Sequence, residues 1–365
     1  MTPPQSTGVP ERDGVPGERA EHAMGPVTGA GAETARTAGC VCWRPAREFI
    51  SPVPQVMLVR TGGEEPGRAR AGRAARGRRA DGAGDAWTWP VGATGAGETL
   101  PECAARYGSE AAGRQALLGV PLTAPASSAG EQPAQPVFWA ARVARTGRRA
   151  NASDDVRWVD AVEARDLLTD PHDLAPLDAL LARVDEGTLD TRPVIVLRHA
   201  RARPRDSWSR ADGDRPLVSA GRRQALALAP LLCCWRPEHL LCSPWRRCTE
   251  TLAPYAAASD TRVRVKGGLS EDGHARDPDK AARHLLKVLG RDDGSLICTH
   301  RKVLADLLPS MAIAMSGAPP SLLATTGAST SLSMVEVAER LASLDGVRLT
   351  AAPGGGARWS YHGRL

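Results

Sequence analysis

The sequence is poor in aromatic residues, which make up 4% of its 365 positions and include two phenylalanines and three tyrosines. Surfaces that bind single-stranded nucleic acid need such side chains as stacking platforms beside their cations. The densest basic stretch, RARAGRAARGRRADG at 68–82, contains none. The net charge of +6 therefore reads as a solvated basic loop over 65–85, and a nucleic-acid partner is not expected. No run of about 18 apolar residues occurs, and the opening MTPPQSTGVPERDGVPGERAEHAMG has no apolar segment of the signal-peptide kind. No membrane partner is expected. The reading is a cytoplasmic protein with a disordered Pro/Gly-rich tail over 1–35. The eight cysteines, at 40, 42, 103, 233, 234, 242, 248 and 298, form no CxxC block and no Cys/His set at zinc spacing. That excludes a zinc module and predicts free thiols.

The length suggests two domains. Short apolar runs bounded by Pro or Gly, AGCVCWRP at 38–45 and PQVMLVRT at 54–61, read as strands. A Gly-rich turn then leads into an Ala-rich helix within 87–122. A strand at 136–145 and a strand-turn-helix at 155–168 follow, and APLDALLARV at 175–184 closes the region as a helix. After a linker at 187–192 the pattern becomes strict alternation. Strands are predicted at 194–198, 239–243 and 295–299, with helices near 220–234, 245–258 and 278–290 between them. The fold class is α/β in both parts, 36–186 and 193–365, the second with a mostly parallel sheet and helices on both faces.

Open α/β sheets bind ligands at the carboxyl ends of their strands. Three strands of the second part end in residues suited to phosphate: Arg198 and His199, then CSPWRR with Arg246 and Arg247, then CTHRK with His300. An arginine presents a permanently charged planar fork to phosphate oxygens. A neutral imidazole offers a nitrogen nucleophile near pH 7 without a metal.

These residues resemble the histidine phosphatase superfamily, the branch that includes phosphoglycerate mutases. Its opening L-x-R-H-G pattern is met by Leu197, Arg198 and His199, with Ala200 in the Gly place. Its S-P-x-x-R-x-x-Q-T segment is met by Ser243, Pro244, Arg247 and Thr251, with Glu250 in the Gln place; His300 falls on the second histidine. The resemblance implies that His199 becomes a phosphohistidine while Arg198, Arg247 and His300 hold the phosphoryl oxygens. It also places an acidic residue in the turn GGLSEDGHARD, making Glu271 the candidate general acid and Asp272 its reserve. Arg201, Asp214, Arg215 and Ser243 are candidates for further substrate contacts, with Asp214 and Arg215 also organising the loop before the 220–234 helix; Arg301 is a further helper to consider. Only 23 residues separate Arg247 from Glu271, and 28 separate Glu271 from His300. That leaves no room for the helical cap of the sugar-phosphate mutases and suits bulkier substrates. No cofactor is expected for this part.

The stretch GATGAGETLPECAARYGSEAAGR resembles a Nudix box, with Gly92, Glu98, Arg106, Glu110 and Gly113 in register and Tyr107, Gly108, Ala111 and Arg114 departing from the pattern. The resemblance implies a Nudix-like α/β/α sandwich with a mixed sheet over 36–186. It also implies Mg²⁺ as a cofactor there, with Glu98 and Glu110 as metal ligands. Two of the usual carboxylates are missing, and Gly108 costs a free helix about 1 kcal/mol relative to Ala, so loss of metal-dependent hydrolysis is expected.

Together the two halves resemble actinobacterial MutT-type fusions of a Nudix domain with a histidine phosphatase, proteins of nucleotide housecleaning. The expected function is hydrolysis of a nucleotide or other phosphorylated small molecule. A phosphoprotein substrate, as for a protein phosphohistidine phosphatase, is one alternative. A non-catalytic nucleotide-binding or regulatory protein is the other, favoured by the missing Gly after His199.

Overall fold

The computed structural model describes residues 36–45, 53–61, 86–122, 136–144, 155–316, 347–351 and 357–361. The tail 1–35 and the basic loop 65–85 lie outside the described residues.

The first half is built on seven strands: β1 (Thr37–Arg44), β2 (Gln55–Thr61), β3 (Ala86–Thr88), β4 (Val91–Ala93), β5 (Ala116–Pro121), β6 (Val137–Val143) and β7 (Val156–Asp160). They form one sheet in the order β3-β2-β1-β6-β5, with β4 also on β1 and β7 on β2. β1 and β6 run parallel while the other pairs are antiparallel, so the sheet is mixed. Side chains alternate along a strand, and β1 uses both faces. Cys40 and Cys42 pack on the side of α1 (Leu100–Ala112), whereas Val41 and Trp43 pack toward α2 (Ala161–Leu167) and α3 (Pro171–Asp185). The helices therefore cover both faces, as in an α/β/α sandwich.

α1 starts where the sequence provides a stop and a start together. Thr99 accepts a hydrogen bond from the Glu102 backbone N–H, and the Glu102 carboxylate accepts from Thr99 N, completing a capping box. Gly113 ends the helix with a left-handed φ of 62°. Within it, Gly108 is the point of closest approach to the sheet. A Cβ there would lie 2.3 Å from Cys40 Sγ and 3.0 Å from Ala116 Cβ. The penalty expected for glycine in a free helix is thus not the relevant quantity; the packed helix needs the missing methyl.

The second half comprises β8 (Arg192–Arg198), α4 (Ser219–Cys233), β9 (His239–Cys242), α5 (Arg246–Ser259), β10 (Val263–Val265), α6 (Glu271–Arg276), α7 (Pro278–Leu289), β11 (Ser295–Thr299), α8 (Arg301–Ser316), β12 (Val347–Ala351) and β13 (Ala357–Tyr361). The sheet order is β10-β9-β11-β8-β12-β13. The first four strands are mutually parallel, and β12 and β13 add antiparallel pairs at one side. Strands buried on both faces read as continuous apolar runs, which is why VIVL and SLIC carry no polar alternation. Ile195, Leu197 and Leu240 face α4 and α5, while Val194, Val196 and Leu241 face α7 and α8.

The two sheets divide the chain between α3 and β8, yet one apolar cluster spans the division. It joins Cys40, Cys103 and Leu118 of the first half to Leu231, Cys234 and Leu252 of the second. Two hydrogen bonds cross the same seam: Leu118 N donates to Cys234 O at 2.8 Å and Gln115 Nε2 to Cys233 O at 3.1 Å. All eight cysteines are free thiols. Among the described residues, no helix is long and apolar enough to cross a membrane.

Candidate functional site

The carboxyl ends of β8, β9 and β11 bring the sequence-selected residues together. β11 lies between β8 and β9, so His199, which follows β8, and His300, which follows β11, become neighbours with ring centroids 5.2 Å apart. Ser243, after β9, meets His300 Nε2 through its hydroxyl at 2.8 Å. Arg247, in the first turn of α5, reaches back to donate from Nε to His199 Nε2 at 3.1 Å. On the other side of the imidazole, His199 Nδ1 lies 2.8 Å from the Ala200 carbonyl oxygen. A carbonyl can only accept, so Nδ1 carries the proton and the lone pair is on Nε2.

Burial depresses the pKa of His199 to about 3, helped by the charges of Arg247, Arg198 and Arg215 and opposed by the Ala200 hydrogen bond. His300 is fully buried; burial, then His199 and Arg247, push it down to about 2. Both rings are therefore neutral at physiological pH, as a nitrogen nucleophile requires. Arg247 is also fully buried. Burial and the nearby Arg215 pull its pKa below the ordinary arginine value, opposed by Asp212.

Glu271, the first residue of α6, stands 3.4 Å from Arg247 Nη2, 3.8 Å from His300 Nδ1, 3.6 Å from Arg205 Nη2 and 3.6 Å from Lys302 Nζ. It is in the site, whereas Asp272 is exposed on the same helix. Arg198 ends β8 beside Thr299 and acts on His199 through its charge. Arg201 is exposed, and its backbone N–H donates to Gln224 Oε1. Gly221 lets the chain pass at that point, since a Cβ there would lie 2.0 Å from Arg201 O.

Two of the expected substrate contacts are placed differently. Ser243 is wholly buried with its hydroxyl on His300 Nε2, so it meets the site through that ring. In the turn after Arg210, the carboxylate that meets the arginines belongs to Asp212, while Asp214 is exposed. Asp212 Oδ2 accepts from Arg205 at 2.8 Å and Arg247 at 3.1 Å, and Oδ1 accepts from Arg215 at 2.6 Å. Burial opposes its ionisation, but the hydrogen bonds from Arg215 and Arg205 and the charge of Arg247 outweigh it and hold Asp212 well below the usual carboxylate range. Arg215 thus enters the site through Asp212.

Trp245, in the variable part of the S-P-x-x-R segment, was not singled out in the sequence. Its ring centroid lies 4.7 Å from that of His300, and the Arg247 guanidinium carbon lies 4.4 Å from it. Its position one residue after Ser-Pro was the available signal. The departures from the motif are accommodated. Ala200 does not have a positive φ, the only such non-glycine residues described being Arg236 and Asp260. Its N–H donates to Thr251 Oγ1, and its methyl packs with Leu217 and Ala225. Glu250 accepts from Leu217 N and from Arg246, tying α5 to the segment before α4.

The residues expected to hold Mg²⁺ in the first half do not fit it. Both Glu98 oxygens accept from Arg106, at 2.7 and 2.8 Å, and Oε2 also accepts from Gly95 N. Glu102 is taken up by the Thr99 cap. Glu110 is exposed, 3.8 Å from Arg106. Among the described residues no three His, Cys, Asp or Glu side chains converge as metal ligands.

The family model of the histidine phosphatase superfamily (branch 1) matches residues 194–277. An 8-oxo-(d)GTP phosphatase of Mycolicibacterium smegmatis is 31% identical over 278 residues, covering 75% of this chain and 80% of that protein. The chain belongs to the histidine phosphatase superfamily. It is a phosphatase, hence a hydrolase. Among solved structures, the protein histidine phosphatase SixA complexed with tungstate shares 18% identity, covering 47% of this chain and 96% of that one with a TM-score of 0.32. A mycobacterial glucosyl-3-phosphoglycerate phosphatase shares 15% identity over 48% of this chain and 100% of the other, with a TM-score of 0.31.

Proposed function

We propose that this histidine phosphatase removes a phosphoryl group from a nucleotide or related phosphomonoester through a phosphohistidine at His199. The observation that carries the reading is the half-buried, neutral His199 with its Nε2 lone pair turned toward Arg247. In the proposed reaction, Arg247 Nε turns from Nε2 to a phosphoryl oxygen, Nε2 attacks phosphorus, and Arg247, Arg198 and His300 hold the phosphoryl oxygens, which gain charge in the transition state. The bond from phosphorus to the leaving oxygen breaks as that oxygen takes a proton from Glu271. Water then attacks the phosphohistidine and gives its proton to Glu271, and the N–P bond breaks to release inorganic phosphate and neutral His199.

A nucleotide is preferred because the relative named above is an 8-oxo-(d)GTP phosphatase and its 278-residue alignment is longer than the stretch from 193 to the end. The similarity therefore extends into the first half. We assign that half a Nudix-like fold without metal-dependent pyrophosphate hydrolysis, on the engagement of Glu98 with Arg106. The alternative of a phosphohistidine protein substrate rests on the short spacing between Arg247 and His300, which leaves the site uncapped.

The test is phosphate release from nucleoside mono-, di- and triphosphates and a phosphohistidine peptide, with Mg²⁺ or EDTA, for the parent, His199→Ala and Glu110→Gln. Activity on nucleotides that persists in EDTA and is lost in His199→Ala is expected. Preference for the peptide would move the substrate to protein. Pyrophosphate release that requires Mg²⁺ and Glu110 would overturn the assignment of the first half.

A further inference from the structure

The fully buried Arg247 side chain already has partners for most of its donors. A guanidinium has five N–H groups. Nε donates to His199, Nη1 to the Asp212 carbonyl oxygen at 2.8 Å, and Nη2 to Asp212 Oδ2 at 3.1 Å and Glu271 Oε1 at 3.4 Å. One N–H is left over, and attack by His199 Nε2 on phosphorus frees the Nε–H, but both Nη2 donors stay on carboxylates, so a fork through Nε and Nη2 needs one carboxylate to give way. Since Arg247 is wholly buried, the arriving phosphoryl group has to take the place of a partner already there.

Asp212 is the partner built to leave. It belongs to a short 3-10 turn, Asp212–Asp214, flanked by exposed Arg210, Ala211 and Asp214. By contrast, His199 follows β8 and Glu271 opens α6. The Asp212 carboxylate collects three guanidinium groups, those of Arg205, Arg215 and Arg247. This is the environment of an anionic tetrahedral group, met here by a planar one. Next to it, Gly213 packs on Trp245, where a Cβ would lie 3.2 Å from the ring, so the turn rests on that ring without a side chain wedged between.

Resting on the phosphohistidine reading above, we infer that Asp212 is an internal stand-in for the phosphoryl group: its carboxylate occupies the anion position before Arg247, Arg205 and Arg215 in the resting enzyme and is exchanged for phosphoryl oxygens when substrate binds. The exchange keeps three cations paired before substrate arrives and weakens the hold on inorganic phosphate, the product that must leave.

Isothermal titration of the full-length protein with inorganic phosphate, and separately with tungstate, tests this on the parent, Asp212→Asn and Asp212→Ala. Asp212→Ala is expected to bind both anions at least about tenfold more tightly than the parent, with Asp212→Asn between them. A crystal structure of the parent with tungstate is expected to show the Asp212 carboxylate withdrawn from Arg247. Tungstate bound with the Asp212–Arg247 pair intact overturns the inference, and so does unchanged or weaker affinity in both variants when they melt like the parent. If the parent releases phosphate from substrates in those cases, the phosphohistidine reading stands and this inference alone falls. If the parent neither binds phosphate nor turns over any substrate, the two fall together.

Discussion

Acid should destabilise this protein earlier than its carboxylates alone would require, because two histidines of the site are folded as neutral rings. His199 and His300 have pKa values near 3 and 2 in the folded chain, against about 6.5 in an unfolded one. Between those limits the unfolded state binds protons that the folded state refuses, so stability rises with pH. The contribution is fully present above pH 6.5 and is lost progressively as pH falls toward the folded values. Each group costs up to about 1.4 kcal/mol per pH unit within that window, so the pair contributes a loss of roughly 2–3 kcal/mol on going from pH 7.5 to 5.5. His239 and His284 are shifted in the same direction by burial and nearby cations, so the comparison is made by difference. Urea denaturation of the parent and His300→Gln at half-unit steps from pH 7.5 to 5 is the assay. The variant should show a slope shallower by about one proton. Equal slopes would mean that His300 is protonated or exposed in the folded state, and the neutral pair at the site would have to be abandoned.

Gly108→Ala sets a helix gain of about 1 kcal/mol against overpacking of about 1–3 kcal/mol, because its methyl would meet Cys40 Sγ; a lower Tm is expected, partly relieved by adding Cys40→Ala. A higher Tm would show that α1 does not lie so close to β1. Glu271→Gln should lower kcat/KM, which reports steps up to departure of the leaving group, by about 10²–10⁴ for a poor leaving group and much less for p-nitrophenyl phosphate, and an equal loss on both would remove Glu271 as the acid. Ala200→Gly should cost about 1 kcal/mol through backbone freedom and the lost methyl without raising kcat. A large gain in kcat would mean that alanine at this position is what limits the site.

The sheet of the second half was legible because its central strands are buried on both faces, and VIVL, HLLC and SLIC appear as short unbroken apolar runs. The site followed from where those strands end: Arg198, His199 and His300 sit at strand termini, and Arg247 lies in the first turn of the helix after one. Asp212 was not legible in the same way. In ADGDR two aspartates compete for one role, and only the 3-10 turn decides that Asp212, and not Asp214, faces the arginines. Ser243 was assigned to the ligand because its motif position says nothing of depth; the chain buries it with its hydroxyl on His300. Gly108 was read by helix propensity, a local quantity, whereas its environment is set by Cys40 some 68 positions earlier in the chain.

The seam between the halves bears on what can be lost from this protein over time. Cys103 of α1 and Leu231 of α4 belong to one buried cluster, and Cys233 and Cys234 at the end of α4 supply carbonyl groups to Gln115 and Leu118. Deleting the first half would expose that apolar side of α4 to water. The first half is therefore a wall against which α4 packs, and the close approach of α1 to β1 at Gly108 belongs to that wall whatever chemistry the first half performs.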